Sequence, residues 1–144
     1  MKPEQFIEGL DEAQIVAAIA KAERKTSGEV RVYVSHKKRE DILAAARRRF
    51  HKLAMTRTRQ RNAVLIYFAP LTHKFAIWGD IGVHEKCGQA LWNDIAAGMG
   101  DLLKQGQFTE GVVTAITQVG EALAKYFPPV HYDRNELSNE IAKD

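Results

Sequence analysis

Between Arg61 and Glu85 the chain carries two apolar runs separated only by Pro70-Leu71-Thr72, and few folds accommodate such a stretch. The first run, Ala63-Val64-Leu65-Ile66-Tyr67-Phe68-Ala69, has strand length and is rich in β-branched and aromatic side chains. A strand with one solvated face alternates apolar and polar residues, whereas an unbroken apolar run reads as a strand covered on both faces. Lys74-Phe75-Ala76-Ile77-Trp78 reads as a second strand, and the short connection makes the pair an antiparallel hairpin. Gly79-Asp80 and Gly82 end that strand and place Asp80, His84 and Glu85 where a long helix begins.

The segments on either side fit an α/β domain. Asp11 is placed as an N-cap with Gln14 three residues on, and Ile15, Ile19 and Ala22 repeat at helical spacing to about Lys25. Thr26-Ser27-Gly28 breaks the helix. Val30, Val32 and Val34 then alternate with Arg31, Tyr33 and Ser35, which predicts a strand with one apolar face. Asp41 precedes a second helix with Leu43, Ala46, Phe50 and Leu53 on one face and Arg48 and Lys52 on the other. Strand, helix and strand in succession form a βαβ unit, so the first two strands should be parallel.

A helix from about His84 to Leu103 should bury Cys87, Leu91, Ile95, Met99 and Leu102, with Trp92 on its flank and Gly106 at its end. Thr109 is placed to cap a last helix carrying Val112, Ile116, Val119, Leu123 and Phe127, which Pro128-Pro129 stops. The expected architecture is a three-layer α/β/α sandwich: a small mixed sheet with a central hairpin, flanked by about four helices. Residues 1–10 read as a lead-in, 11–128 as the domain, and 129–144 as a polar tail in which Leu137 and Ile141 are spaced to dock one helical turn.

At 144 residues and 45% hydrophobic content the chain suits one domain with a substantial core. The first residues lack the cationic-then-apolar pattern of a secretory signal, and no apolar run reaches the ~20 residues of a membrane span. The expected location is therefore cytoplasmic, without membrane insertion. Cys87 is the single cysteine, which excludes an internal disulfide framework, and its place on an apolar face favours an inert thiol. None of His36, His51, His73, His84 and His131 has zinc-site spacing, and no phosphate-binding glycine loop or nucleophile elbow is present.

Four groups of residues resemble the TPM domain family. Gly28-Glu29 with the alternating valines resembles that family's opening strand, and Asn62-Ala63-Val64-Leu65-Ile66 is similar to its Asn-Gly-Val-Leu-Leu strand, with Ala63 in place of glycine. Gly79-Asp80-Ile81-Gly82-Val83-His84-Glu85 resembles its glycine-x-glycine-apolar-glutamate turn at altered spacing, and Phe108 and Gly111 match residues before its last helix. The resemblance implies an α/β/α sandwich. It also implies acid phosphatase activity and divalent-cation binding, which have been linked to some members. Many members are exported and membrane-tethered, a pattern from which this chain departs.

Strand direction groups the candidate site. Two parallel strands starting near Glu29 and Asn62, and a third running back to Gly79, collect Glu29, Arg57, Arg59, Arg61, Asn62, Asp80, His84 and Glu85 at one end of the sheet. Glu29, Asp80, His84 and Glu85 are candidate ligands of a divalent cation, with calcium the better fit to loosely arranged oxygens. Arg57, Arg59, Arg61 and Asn62 are candidates for holding an anion, the arginines bidentately. A salt-bridge network of purely structural role is the third reading of the same residues. Ten lysines and arginines between Lys37 and Arg61, against Glu40 and Asp41, point to an anionic partner or a solvated basic face. Exposed stacking aromatics and base-reading side chains are missing from that block, so nucleic-acid binding is the least favoured function. The leading expectation is a binding or accessory module for a ligand or protein partner. A metal-assisted phosphatase, with Asp80 and Glu85 as ligands or acid–base groups, is the alternative.

Overall fold

The computed structural model of the chain describes residues 1–129 and 138–144. His131 and Leu137 lie outside the described residues. The element order is α1 (Pro3–Glu8), α2 (Glu12–Glu23), β1 (Glu29–Val34), α3 (Ile42–Lys52), β2 (Ala63–Ala69), β3 (Lys74–Gly79), α4 (Ile81–Lys104), α5 (Phe108–Tyr126) and β4 (Ala142–Lys143). Short 3-10 turns occupy Met55–Arg57 and Pro70–Thr72.

The sheet order is β3-β2-β1-β4. β1 and β2 are parallel with Glu29 opposite Ala63 and Val34 opposite Phe68, and β2 and β3 form the antiparallel hairpin with Val64 opposite Gly79. Every residue of β2 is buried, as its uninterrupted apolar run requires. Val30, Val32, Val34, Val64, Ile66, Phe68 and Ile77 face α1, α2, α4 and α5 in one core. Tyr33, Leu65, Tyr67 and Ala76 face α3 in the other. This is the three-layer α/β/α sandwich with a mixed sheet. No helix among the described residues is long and apolar enough to cross a membrane.

Several details differ from the sequence-based expectations, each for a physical reason. The lead-in contains α1, whose Phe6 packs on Phe68 with ring centroids 5.0 Å apart. Six residues are too few to display a helical period. β1 is buried on both faces rather than one: Tyr33 stacks on Tyr67 at 5.3 Å, and Arg49 lies over the Tyr33 ring. The described part of the tail is extended, not helical. β4 pairs parallel to β1 through Tyr33–Ala142 and Val34–Lys143, with Ile141 buried. Asp144 anchors it, its carboxylate accepting from Tyr33 Oη, Ser35 Oγ and His36 N and pairing with Arg49 Nη2 at 3.3 Å.

α4 starts at Ile81, not His84, and bends at Gly88, whose φ of 75° and ψ of 161° are not helical. The bend changes which side chains face inward. Trp92 is completely buried, whereas Cys87, Leu91 and Leu102 are only half-buried. α5 starts one residue before Thr109. Thr109 Oγ1 instead accepts the Asp11 amide at 2.9 Å, tying α5 to the start of α2.

Ile66 and Phe68 are 0% and 2% exposed. Phe68→Ala is therefore expected to cost about 3 to 5 kcal/mol, from lost transfer energy and the cavity left between Phe6 and Phe75. Denaturant titration reads this directly, and a loss below ~1 kcal/mol would contradict the two-sided burial of β2.

Candidate functional site

The charged end of the sheet is built around the junction of β3 and α4. Asp80 leaves β3 with its amide donating to Ala63 O at 2.9 Å, which extends the hairpin ladder by one bond. Its backbone is extended while its carboxylate accepts the Ile81 amide at 2.7 Å, the arrangement of a helix N-cap. The same carboxylate takes Arg61 Nε at 2.7 Å and Nη2 at 2.9 Å, a bidentate fork. Asp80 is 4% exposed, whereas the Arg61 side chain is 46% exposed, so the pair joins an interior anion to a guanidinium at the surface. Beside this carboxylate Arg61 holds its proton more tightly than an ordinary arginine, chiefly through the side-chain hydrogen bond.

Close backbone approach brings Arg61 there. The Gly82 amide donates to Arg61 O at 2.9 Å, and a Cβ at Gly82 would lie 2.4 Å from Gln60 O and 2.7 Å from Arg61 O. Only glycine permits this contact between the loop and the first turn of α4. Arg61 itself has φ of 51°, turning the chain sharply into β2.

A buried polar network fills the adjacent end of β1 and β2. Asn62, 1% exposed, donates from its backbone to Thr58 Oγ1 at 3.2 Å and from Nδ2 to Ser27 Oγ at 3.2 Å. Gln60 Nε2 also donates to Ser27 Oγ, at 3.0 Å. The Ser27 amide and Thr26 Oγ1 both donate to Phe127 O, fixing the end of α5 against the entry to β1. The sequence places Thr58 and Gln60 in the loop at this end of the sheet but marks Thr26 and Ser27 only as a helix break, and gives none of the four a role in a site. The signal available was a run of small polar residues directly before a strand, which reads equally as a helix break.

The candidate residues therefore divide. Asp80, Arg61 and Asn62 belong to one connected network, and Glu29 is buried at the start of β1, opposite Ala63. His84 and Glu85 are exposed on the first turns of α4, and Arg57 and Arg59 are exposed on the loop before β2. Among the described residues, no group of three or more His, Cys, Asp and Glu side chains is arranged to hold a metal ion. Asn62 acts inside the network, not as an accessible anion contact.

Two outcomes are expected from this geometry. Gly82→Ala should cost about 1 to 3 kcal/mol by forcing the loop off α4, whereas Gly98→Ala, with open space around its Cβ, should be neutral or slightly stabilising. Comparison of denaturation midpoints separates them. Burial pushes the Cys87 thiol above its usual range, with the Lys125 charge opposing the shift. Less thiolate is then present near neutral pH than in a free cysteine, so iodoacetamide should modify Cys87 slowly at pH 7.5 and faster as pH rises.

Comparison with known proteins agrees with this architecture. The family model of the TPM domain matches residues 1–122. The solution NMR structure of the BA42 protein from the psychrophilic bacterium Bizionia argentinensis is 40% identical, superimposes with a TM-score of 0.84, and covers 92% of both chains. No curated protein matches the chain. With the match extending over most of its length, the chain belongs to the TPM domain family.

Proposed function

We propose that this TPM domain is a binding module, not a hydrolase, and that it engages an anionic ligand or protein partner at the charged end of its sheet. The observation that carries this reading is the Asp80–Arg61 fork. Both carboxylate oxygens of Asp80 are engaged by Arg61, and one of them also caps α4. The residue that a metal site or an acid–base pair would need is thus committed to structure. Glu29 is buried, whereas His84 and Glu85 stand exposed on α4, so the candidate ligands do not fit a calcium centre as they stand.

The fork has a second effect. A guanidinium carries five N–H donors, and Asp80 uses two, which leaves three on a half-exposed group whose orientation is already fixed. Ordering a long side chain costs conformational entropy, and here that cost is met in the free protein. Arg57 and Arg59, exposed on the same loop, supply further positive charge for steering an anion toward it.

Hydrolysis of a generic phosphomonoester, assayed with and without calcium or magnesium, distinguishes binding from catalysis. No metal-dependent turnover is expected, and calorimetric titration with calcium should show weak binding or none. Metal-dependent turnover abolished by Asp80→Asn would establish the phosphatase reading instead. Tight calcium binding unchanged by Asp80→Asn would place a cation site elsewhere on the molecule.

A further inference from the structure

A second concentration of positive charge lies away from the Asp80 junction, on the α3 face of the sheet. α3 packs mainly over β3 and β2 and leaves a cavity of about 150 Å³ between itself and the loop that follows β1. Lys37 and Arg39 line it from the loop, Arg48, Arg49 and Lys52 from α3, and Tyr67 from β2. No acidic side chain lines it among the described residues.

Several observations separate this cavity from an ordinary solvated basic face. Arg39 is held by its backbone, its amide donating to Thr72 Oγ1 at 3.4 Å and its carbonyl accepting from the same hydroxyl at 3.1 Å. Its Nε–H is buried without an acceptor, a costly state for a charged donor. Arg49 is fixed by stacking over Tyr33 at 4.6 Å and by its pair with Asp144. That is the one ion pair formed by the five cations among the described residues. Lys37, Arg48 and Lys52 keep exposed ends that water solvates, so the free protein tolerates them.

The size of the cavity limits the ligand. It exceeds what one bound water needs and falls well below the several hundred Å³ of a pocket for a drug-sized molecule. Tyr67 is 1% exposed, so its ring offers no surface on which a base could stack. Five cations without a lining acid call for more than one negative charge, and planar guanidinium forks match phosphate oxygens.

We propose that the cavity between α3 and the Lys37–Arg39 loop binds a small phosphate-bearing anion, with Arg39 and Arg48 as direct contacts. The site is distinct from the Asp80–Arg61 junction and does not depend on the function proposed for it.

Amide chemical shifts of the full chain, followed during titration at matched ionic strength, test the proposal. The probes are inorganic phosphate, pyrophosphate, phosphatidylcholine vesicles with and without a phosphoinositide, and a random duplex DNA. Saturable shifts at Lys37–Arg39 and along the Arg48–Lys52 turn are expected with pyrophosphate. Arg39→Gln and Arg48→Gln should each weaken binding about tenfold or more, as loss of a charged hydrogen bond predicts, while Lys21→Gln, exposed on α2, should leave it unchanged. Should Arg39→Gln disturb the loop in the free protein, the exposed Arg48→Gln and Lys52→Gln carry the same comparison. Equivalent losses on phosphoinositide vesicles identify a lipid headgroup as a source of the anion, and binding of the soluble probes alone identifies a free phosphorylated compound. No saturable shift beyond that of chloride, or shifts centred on Arg57 and Arg59, would overturn the proposal. So would duplex binding tighter than pyrophosphate binding, which would make the basic face a nucleic-acid surface.

Discussion

The Asp80 carboxylate lies at a point where three elements must meet without slack. β2 is buried on both faces and hydrogen-bonded on both edges, so it cannot shift to accommodate its neighbours. The residue that leads into it, Arg61, is therefore fixed in place, and the backbone of α4 approaches it so closely that Gly82 has no room for a side chain. Asp80 closes the arrangement: its amide continues the β2–β3 ladder, and its carboxylate caps α4 and holds Arg61. A carboxylate 4% exposed is stable there because its partner is charged and bidentate, and losing the partner would leave the anion stranded. The polar network through Asn62 and Ser27 extends the same junction to β1 and to the end of α5.

This junction also divides the electrostatics of the molecule. At the end of the sheet, the interior acid is neutralised by an arginine that still presents donors to solvent. On the α3 face, cations from a loop and a helix line a cavity that no acidic side chain lines among the described residues, and of these cations only Arg49 is paired, with Asp144. Both features present positive charge on rigid elements, which suits recognition of anions without requiring a reactive group.

Much of this was legible in the sequence where the signal was local. The unbroken apolar run from Ala63 to Ala69 identified the central strand, and the short Pro70-Leu71-Thr72 connection identified the hairpin. The Asp11 cap is formed as its spacing to Gln14 suggests, and Asp41, which the sequence places just before α3, caps that helix in the same way, each accepting an amide three residues on. Long-range features were not legible. Tyr33 alternates with valines and so looked solvent-facing, yet Tyr67, Arg49 and Asp144 cover it from distant parts of the chain. The pairing of β4 with β1 joins residues more than a hundred positions apart, which no local pattern records. Strand direction groups His84 and Glu85 with Asp80 at the end of β3, and the sequence pattern places the start of α4 at about His84. Asp80 is itself the cap, so the helix begins three residues earlier and carries both side chains onto an exposed turn.

The account rests on Asp80 being held by Arg61 and unavailable to a cation. NMR observation of the Arg61 Nε–H during calcium addition tests this most directly, since a hydrogen-bonded guanidinium proton exchanges slowly with water. A protected signal whose shift is unchanged at millimolar calcium, and which is lost in Asp80→Asn, is the predicted result. Loss of protection in the unsubstituted protein as calcium is added would show that the cation displaces Arg61, and would contradict the account.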